Sequence, residues 1–419
     1  MMLGLLTILC AWILIKIYRY GTYNFSYWEK KKIPYIKPTF FFGILYDTII
    51  NQELIGVYLA KFYNTFTGPF FGCFALQIPI LVLTDLDAIK SFLLKDARYF
   101  SNRYIYNNPD VDPIIAYGLF GARGPLWKIL KPSLTKLFTL SKIKSIFKLS
   151  KESRRHFNDY LESKVNQNIE AKAMSQKFVS NLLARSVFGV HVNTFADENS
   201  PFNMPRKKFF GTSFVRTFTL LCYYYCPTLV RLFRLKFCNH RIQKYFVSVF
   251  NESITKREAL KIKQGDMIDL LVEFKNKKQA KLGLSWDVVT AQACLFYVSG
   301  QESIASTIAF TLHELCLNTD VQSRLRKEIR DTKKKHGEIT YNSLQEMKYL
   351  DMVVSENIQQ SHKSIENALK TTKYQTQTLP SKMAPSLLFQ RLGSKGIQNT
   401  SLILKNTILK DLTVLIETK

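Results

Sequence analysis

The stretch from Trp286 to about Leu317 constrains this chain most. It is built of helix-forming apolar residues behind a capping-type Ser285, so it reads as one long, largely buried helix. A single polar interruption, Ser299-Gly300-Gln301-Glu302-Ser303, falls mid-helix, where Leu or Ala would suit an apolar helix better. It sets an acid beside an alcohol in a buried element and predicts a local distortion, and such distortions gather at functional sites. An ordinary buried helix with a polar kink is the plainer reading of that segment taken alone.

The amino terminus adds a second constraint. Met1 to Ile17 is almost uninterrupted apolar sequence, followed by Arg19 and by Lys30-Lys31-Lys32. Residues 1–17 read as a membrane signal anchor at the short end for a spanning helix, with a cleaved secretory leader as the competing reading. Positive charge behind the anchor keeps the bulk of the chain cytosolic. Residues 18–40, which include Ile33-Pro34-Tyr35-Ile36-Lys37-Pro38, read as a basic linker stiffened by proline.

Several chemistries are excluded by what accompanies these segments. Seven cysteines, an odd number whose one paired spacing is Cys222 and Cys226, fit buried apolar roles in a reducing compartment rather than a disulfide framework. His313-Glu314 begins a zinc-helix pattern, but Leu317 stands where the second histidine belongs. Gly118, Gly121 and Gly124 make neither a phosphate loop nor a dinucleotide fingerprint. The net charge of +27 is spread along the chain without a nucleic-acid module, so it suits anionic lipid or an acidic protein partner.

Between the linker and the long helix the pattern alternates. Phe70 to Ala75 and Ile78 to Leu83 are two short β-type runs, and Thr84-Asp85 follows as the cap of a helix. Tyr104 to Arg123, rich in Asn, Pro, Asp and Gly, reads as a long loop, the kind that tends to be functional. On the next predicted helix, the i,i+4 spacing puts Trp127 and Lys131 on one face, where a ring and a cation can meet one anion. A packed aromatic beside a solvated cation is the plainer reading of that pair. Residues 140–283 alternate amphipathic helices with basic loops, including a strong helix over Asp266 to Lys275 and aromatic-rich stretches over Phe209 to Phe218 and Cys222 to Phe237.

In this order the segments resemble the haem-thiolate monooxygenases of the cytochrome P-450 superfamily, in its insect microsomal drug-metabolising branch. Ser299-Gly300-Gln301-Glu302-Ser303 is similar to the family's central-helix pattern, Met347-Lys348-Tyr349-Leu350-Asp351-Met352 to its Glu-x-x-Arg helix, and Trp127 with Lys131 to its Trp-x-x-x-Arg pair. The resemblance implies a mainly α fold with small β-sheets, with residues 41–357 as an incomplete catalytic domain. It implies haem as cofactor, an NADPH-dependent flavoprotein reductase as partner, and oxidation of apolar small molecules (xenobiotics, hormones or lipids) at the endoplasmic reticulum membrane. By resemblance Glu302 and Ser303 relay protons, Ser299 and Gly300 open the helix over the haem, Trp127 and Lys131 hold a haem propionate, and Glu356 locks the haem-side core. The loop over Tyr104 to Arg123, with Tyr104, Ile105, Tyr106, Ile114, Ile115 and Phe120, would roof an apolar pocket, and the Phe209 to Phe237 region would be its lid.

Departures from the pattern matter as much. Ser303 replaces a threonine and loses the branched methyl that restricts its rotamer. Lys131 replaces an arginine and loses the two-pronged grip on a carboxylate. Gln359 stands where the arginine partner of Glu356 belongs, and residues 358–419 hold no cysteine, so the loop that supplies the iron's thiolate is missing. Read in the shifted frame, the tail from Ile365 onward can encode family-like sequence, which marks 358–419 as an aberrant, frameshifted tail. The expectation is a family member inactive as encoded. Two alternatives stand beside it: a non-catalytic membrane-bound form that sequesters substrate or reductase, and an unrelated basic helical membrane-surface protein.

Overall fold

An aromatic-rich run and an aliphatic run on either side of a two-residue turn give the chain its hairpin. In the computed structural model, strand β1 (Phe70–Ala75) pairs antiparallel with β2 (Ile78–Leu83), Phe70 opposite Leu83 and Ala75 opposite Ile78. The structure describes residues 2–50, 55–203, 214–261, 263–273 and 285–356. These fall into two compact units, one running to Ser101 and one starting at Asn102.

The first unit holds α1 (Met2–Thr22), α2 (Tyr27–Lys30), α3 (Leu45–Ile50), α4 (Ile55–Lys61), the hairpin and α5 (Leu86–Lys90), which continues into a π-turn at Ser91–Lys95. Asp85 caps α5 by accepting the Ala88 N–H at 2.8 Å, as the sequence predicts. The expected linker over residues 18–40 is instead part of the fold. Trp28 is buried and donates its indole N–H to the Cys73 carbonyl at 3.0 Å, and Ile36 N–H donates to Gly72 O at 2.9 Å. A side chain at residue 72 could not be accommodated, because its Cβ would lie 2.6 Å from the Trp28 ring. The ring needs that closeness to remove its large apolar face from water. On α1 the apolar side chains Leu5, Ile8 and Leu14 are exposed. Among the described residues no helix is long and apolar enough to cross a membrane.

The second unit contains α6 (Pro113–Tyr117), α7 (Gly124–Thr135), α8 (Leu140–Ser163), α9 (Ala171–Phe188), α10 (Phe214–Tyr225), α11 (Pro227–Leu232), α12 (His240–Leu260), α13 (267–273), α14 (Trp286–Leu317), α15 (Thr319–His336), α16 (Tyr341–Glu346) and α17 (348–356). The expected loop over Tyr104 to Arg123 therefore carries one short helix, α6, begun by Pro113 behind the Asp112 cap. Residues 204–213, 274–284 and 357–419 lie outside the described residues, and with them part of the Phe209–Phe218 stretch, the end of the Asp266–Lys275 helix, Gln359 and the whole tail.

Helix α14 is the axis of this unit. It packs along α9, and also touches α6, α12 and α15. Phe188 of α9, Phe202, and Phe246 of α12 surround Tyr297, with ring centroids 4.6–5.7 Å apart in tilted and edge-on pairs. Beside this core Arg257, of α12, meets Asp266 at 2.6 Å and Asp269 at 2.5 Å, both nearly buried. The guanidinium's fork fits two carboxylates at once, so the charges are compensated where water is excluded.

Candidate functional site

The predicted distortion at Ser299 to Ser303 is absent: α14 runs as uninterrupted α-helix from Trp286 to Leu317. The polar residues are absorbed without breaking its α-helical run. Ser303, Thr307 and Thr311 each donate their hydroxyl to the carbonyl four residues back, at 2.7, 2.9 and 2.8 Å. Ser285 occupies the cap position in extended conformation but makes no side-chain cap bond.

The acid and the alcohol part company. Glu302 turns toward α9, where Lys172 Nζ lies 3.1 Å from Oε1 and Gln176 Nε2 donates to Oε2 at 3.4 Å. Ser306, one turn on, donates to Oε1 at 3.4 Å, and Lys172 also bonds Ser306 Oγ. Ser303 Oγ is occupied by its own helix, bonding Ser299 O, and does not touch the carboxylate. The reason is helical geometry: neighbouring residues point about 100° apart, so only one of the two can face α9. Ser299 is exposed, and Gly300 faces Leu183, whose methyls would sit 3.2 and 3.4 Å from an added Cβ. A bulkier residue at 300 would wedge α14 away from α9.

Gln301 and Tyr297, on the adjoining face, are fully engaged. Gln301 Nε2 donates to Ser180 Oγ at 2.7 Å, and the Tyr297 hydroxyl donates to Phe202 O at 2.7 Å. Burial pushes the Tyr297 phenol well above its ordinary range, so it remains a donor at any physiological pH.

On α7, Lys131 Nζ sits 5.0 Å from the centre of the Trp127 ring, so the i,i+4 spacing does bring this pair together on one half-buried face. Glu356 ends the described part of α17 and is exposed. The start of α17 is held by Glu328 of α15, which accepts the Tyr349 and Leu350 N–H groups, both at 2.9 Å. A carboxylate at a helix N-terminus meets both unpaired donors and the positive end of the dipole.

Of the predicted roof residues, Ile105, Ile114 and Ile115 are buried in the main core, Tyr106 and Phe120 pack against it, and Tyr104 is exposed. A separate groove of about 780 Å³ runs along α8, lined by Lys148, Lys151, Arg155, Arg185, Asp159 and Glu162 among others. None of the candidate residues lines it, and its lining mixes both charges.

Thiol chemistry decides whether the residues present fit a thiolate-held haem. Burial pushes Cys73 and Cys294 up to about 12, and Cys222 to about 11, while Cys226 and Cys238 are also raised by burial. Burial thus disfavours the thiolate form at these five positions. The remaining two, Cys10 on α1 and Cys316 at the end of α14, are exposed, and no cysteine follows Cys316 in the 419 residues. Trp127 and Lys131 could grip a carboxylate of such a group, but the sulfur donors present do not fit its iron.

Lys172 and Gln176 were invisible to sequence reasoning. They lie 130 and 126 residues before Glu302, and no motif marks them. The same holds for Asp112 and Gln292, buried polar residues whose partners come from distant elements.

A family model for cytochrome P-450 matches residues 33–361. Cytochrome P-450 6j1 of Blattella germanica is 31% identical over 360 residues, which is 84% of this chain and 72% of that protein. Cytochrome P-450 6k1 of the same species is 30% identical over 84% of this chain and 71% of its own length. A probable cytochrome P-450 6w1 of Drosophila melanogaster matches at 30% identity with the same coverage.

Proposed function

The chain belongs to the cytochrome P-450 family of haem-thiolate monooxygenases, and from that premise we propose that these 419 residues form a monooxygenase scaffold that receives apolar small molecules without oxidising them. The family's reaction places one oxygen atom of O2 into an apolar substrate with electrons supplied by a reductase, and it depends on a cysteine thiolate at the iron. The observation that carries the proposal is the set of seven cysteines: five whose burial disfavours the thiolate, two exposed ones on α1 and at the end of α14, and none after Cys316.

In this reading Glu302 and Ser303 stand at the family's proton-handling positions, Ser299 and Gly300 at its helix-opening positions, and Trp127 with Lys131 at its propionate-binding positions. Glu356 keeps a structural role. The Lys172 contact supports a Glu302 held in one place, its Oε1 3.1 Å from the ammonium on α9. The exposed apolar face of α1, with the lysines and arginine that follow, supports attachment to the endoplasmic reticulum membrane with the remainder cytosolic. The charge of +27 supports docking of an acidic flavoprotein reductase. Residues 358–419 fit a frameshifted tail, for the family model ends at residue 361.

The test is a reduced carbon-monoxide difference spectrum of the purified 419-residue chain reconstituted with haem. No Soret band of the thiolate type is expected; its appearance at stoichiometric intensity would overturn the reading. The same cysteine observation favours a second role, retention of substrate or reductase without turnover, and equilibrium binding of an apolar probe or of reductase by the haem-free chain tests it.

A further inference from the structure

Helix α8 buries one side and leaves the other in water. Ile143, Ser150, Ser153 and Phe157 are buried, and the Phe157 ring packs on Phe178 of α9 with centroids 5.1 Å apart, which fixes the roll of the helix. Its outer side carries Lys148, Lys151, Arg155, Asp159 and Glu162, all exposed and all lining the groove along α8. They follow one another at intervals of three or four residues, which sets them in a single row about 21 Å long. The three cations come first and the two carboxylates last, so the row has a positive half and a negative half.

The other charges along the groove are spent within the chain. Glu152 meets His191 Nδ1 at 2.7 Å, Arg185 donates to Gln264 Oε1 at 2.8 Å, and Arg154 donates to Ser150 Oγ at 3.1 Å. Among the described residues none of the five in the row has an ion-pair partner in its own chain. A uniformly acidic protein or an anionic lipid surface would be repelled by Asp159 and Glu162, and a uniformly basic partner by the other half. The pattern that fits is the row's own reverse. Lys148 and Glu162 stand seven residues either side of Arg155, and Lys151 and Asp159 stand four either side. A second α8 running antiparallel, with Arg155 on the twofold axis, would therefore set Lys148 against Glu162 and Lys151 against Asp159, each pair twice. At the axis the two Arg155 guanidiniums would lie between two Glu152 carboxylates, which offset their repulsion.

We propose that this row is a self-association surface, through which two copies of the chain pair by antiparallel contact of their α8 helices. Exposed ion pairs contribute little each, and the net charge of +27 repels a copy elsewhere, so the contact is weak but fixed in register. It needs neither haem nor substrate and does not rest on the function proposed above.

Sedimentation velocity of the full chain in non-ionic detergent tests it, at about 0.15 M salt throughout because salt sets the range of exposed charges. The wild-type chain should form dimers as its concentration rises. Lys148→Glu with Lys151→Glu turns the positive half acidic, and Asp159→Lys with Glu162→Lys turns the negative half basic; each double variant alone should dimerise about tenfold more weakly or worse. An equimolar mixture of the two should associate again, because an acidic row then faces a basic one, and that rescue shows both variants folded. A wild-type chain monomeric at every concentration, dimers indifferent to both reversals, or variants with wild-type circular dichroism that stay apart when mixed would overturn the proposal. Disulfide trapping reads the register, in a Cys10→Ser, Cys316→Ser background that removes the two exposed thiols. Arg155→Cys should cross-link to its copy, whereas Lys148→Cys, about 21 Å from its own copy in this pairing, should not. No link at 155, or a link at 148, would overturn the antiparallel pairing.

Discussion

Two neighbouring faces of α14 carry polar residues one position apart, and the fold treats them oppositely. Tyr297 and Gln301 point into the core, each with a 2.7 Å bond to a partner from another element. Ser299 and Ser303 point to a face where Ser299 is exposed and Ser303 bonds only its own helix. Glu302 lies between, its side chain 18% exposed and tied to α9 by Lys172. The difference teaches that polarity in this helix is not one site: one face uses polar groups to fix where α14 sits, and the other leaves a hydroxyl with no structural duty beyond its own turn.

That contrast can be broken from the locked face outward. Tyr297→Ala removes a ring packed among Phe188, Phe202 and Phe246 and should cost about 4 kcal/mol in urea unfolding, the scale of a large aromatic cavity. A loss under about 1 kcal/mol would show that the face is not locked. Cys294 belongs to the same buried side, its thiol pushed by burial from 9.0 to about 12. The folded state then holds a proton that the unfolded state releases, so stability present below pH 9 is lost progressively toward pH 12. Cys294→Ala should flatten the alkaline fall in unfolding free energy by one proton's slope.

Glu302→Gln should be milder, about 0.5–1 kcal/mol, because both partners of the Lys172 pair remain partly in water and its Coulomb energy is screened. Its cost should shrink further in 0.5 M salt, where the screening length falls to about 4 Å, close to the ion-pair separation. Smallest is Ser303→Ala, within about 0.5 kcal/mol by the same unfolding measurement, since only a bond to its own backbone is lost. A destabilisation as large as that of Tyr297→Ala would erase the distinction between the faces.

Much of the architecture was legible beforehand because it depends on near neighbours. Phe70 to Leu83 holds two short β-type runs, and the hairpin falls on the predicted residues. Asp85 precedes a helical pattern and caps it. Trp127 and Lys131 are four apart and meet. The misreadings share one cause. Proline and lysine made residues 18–40 look like a linker, yet Trp28 and Ile36 are buried against a strand more than thirty residues on, where Ile36 bonds Gly72. The Ser299–Ser303 interruption looked like a kink, yet serine and threonine hydroxyls closed on carbonyls of their own helix, which stays α-helical throughout.

The sequence by itself determined the elements, their order and the family, since period, caps and turn chemistry act over a few residues and survive in any context. Only the tertiary structure decided which side chains share a site. Lys172 reaches Glu302 across 130 residues, and Asp112 collects the Phe237 amide and the Tyr223 hydroxyl from beyond 110, because helix packing, not chain proximity, sets which charges and donors are buried together.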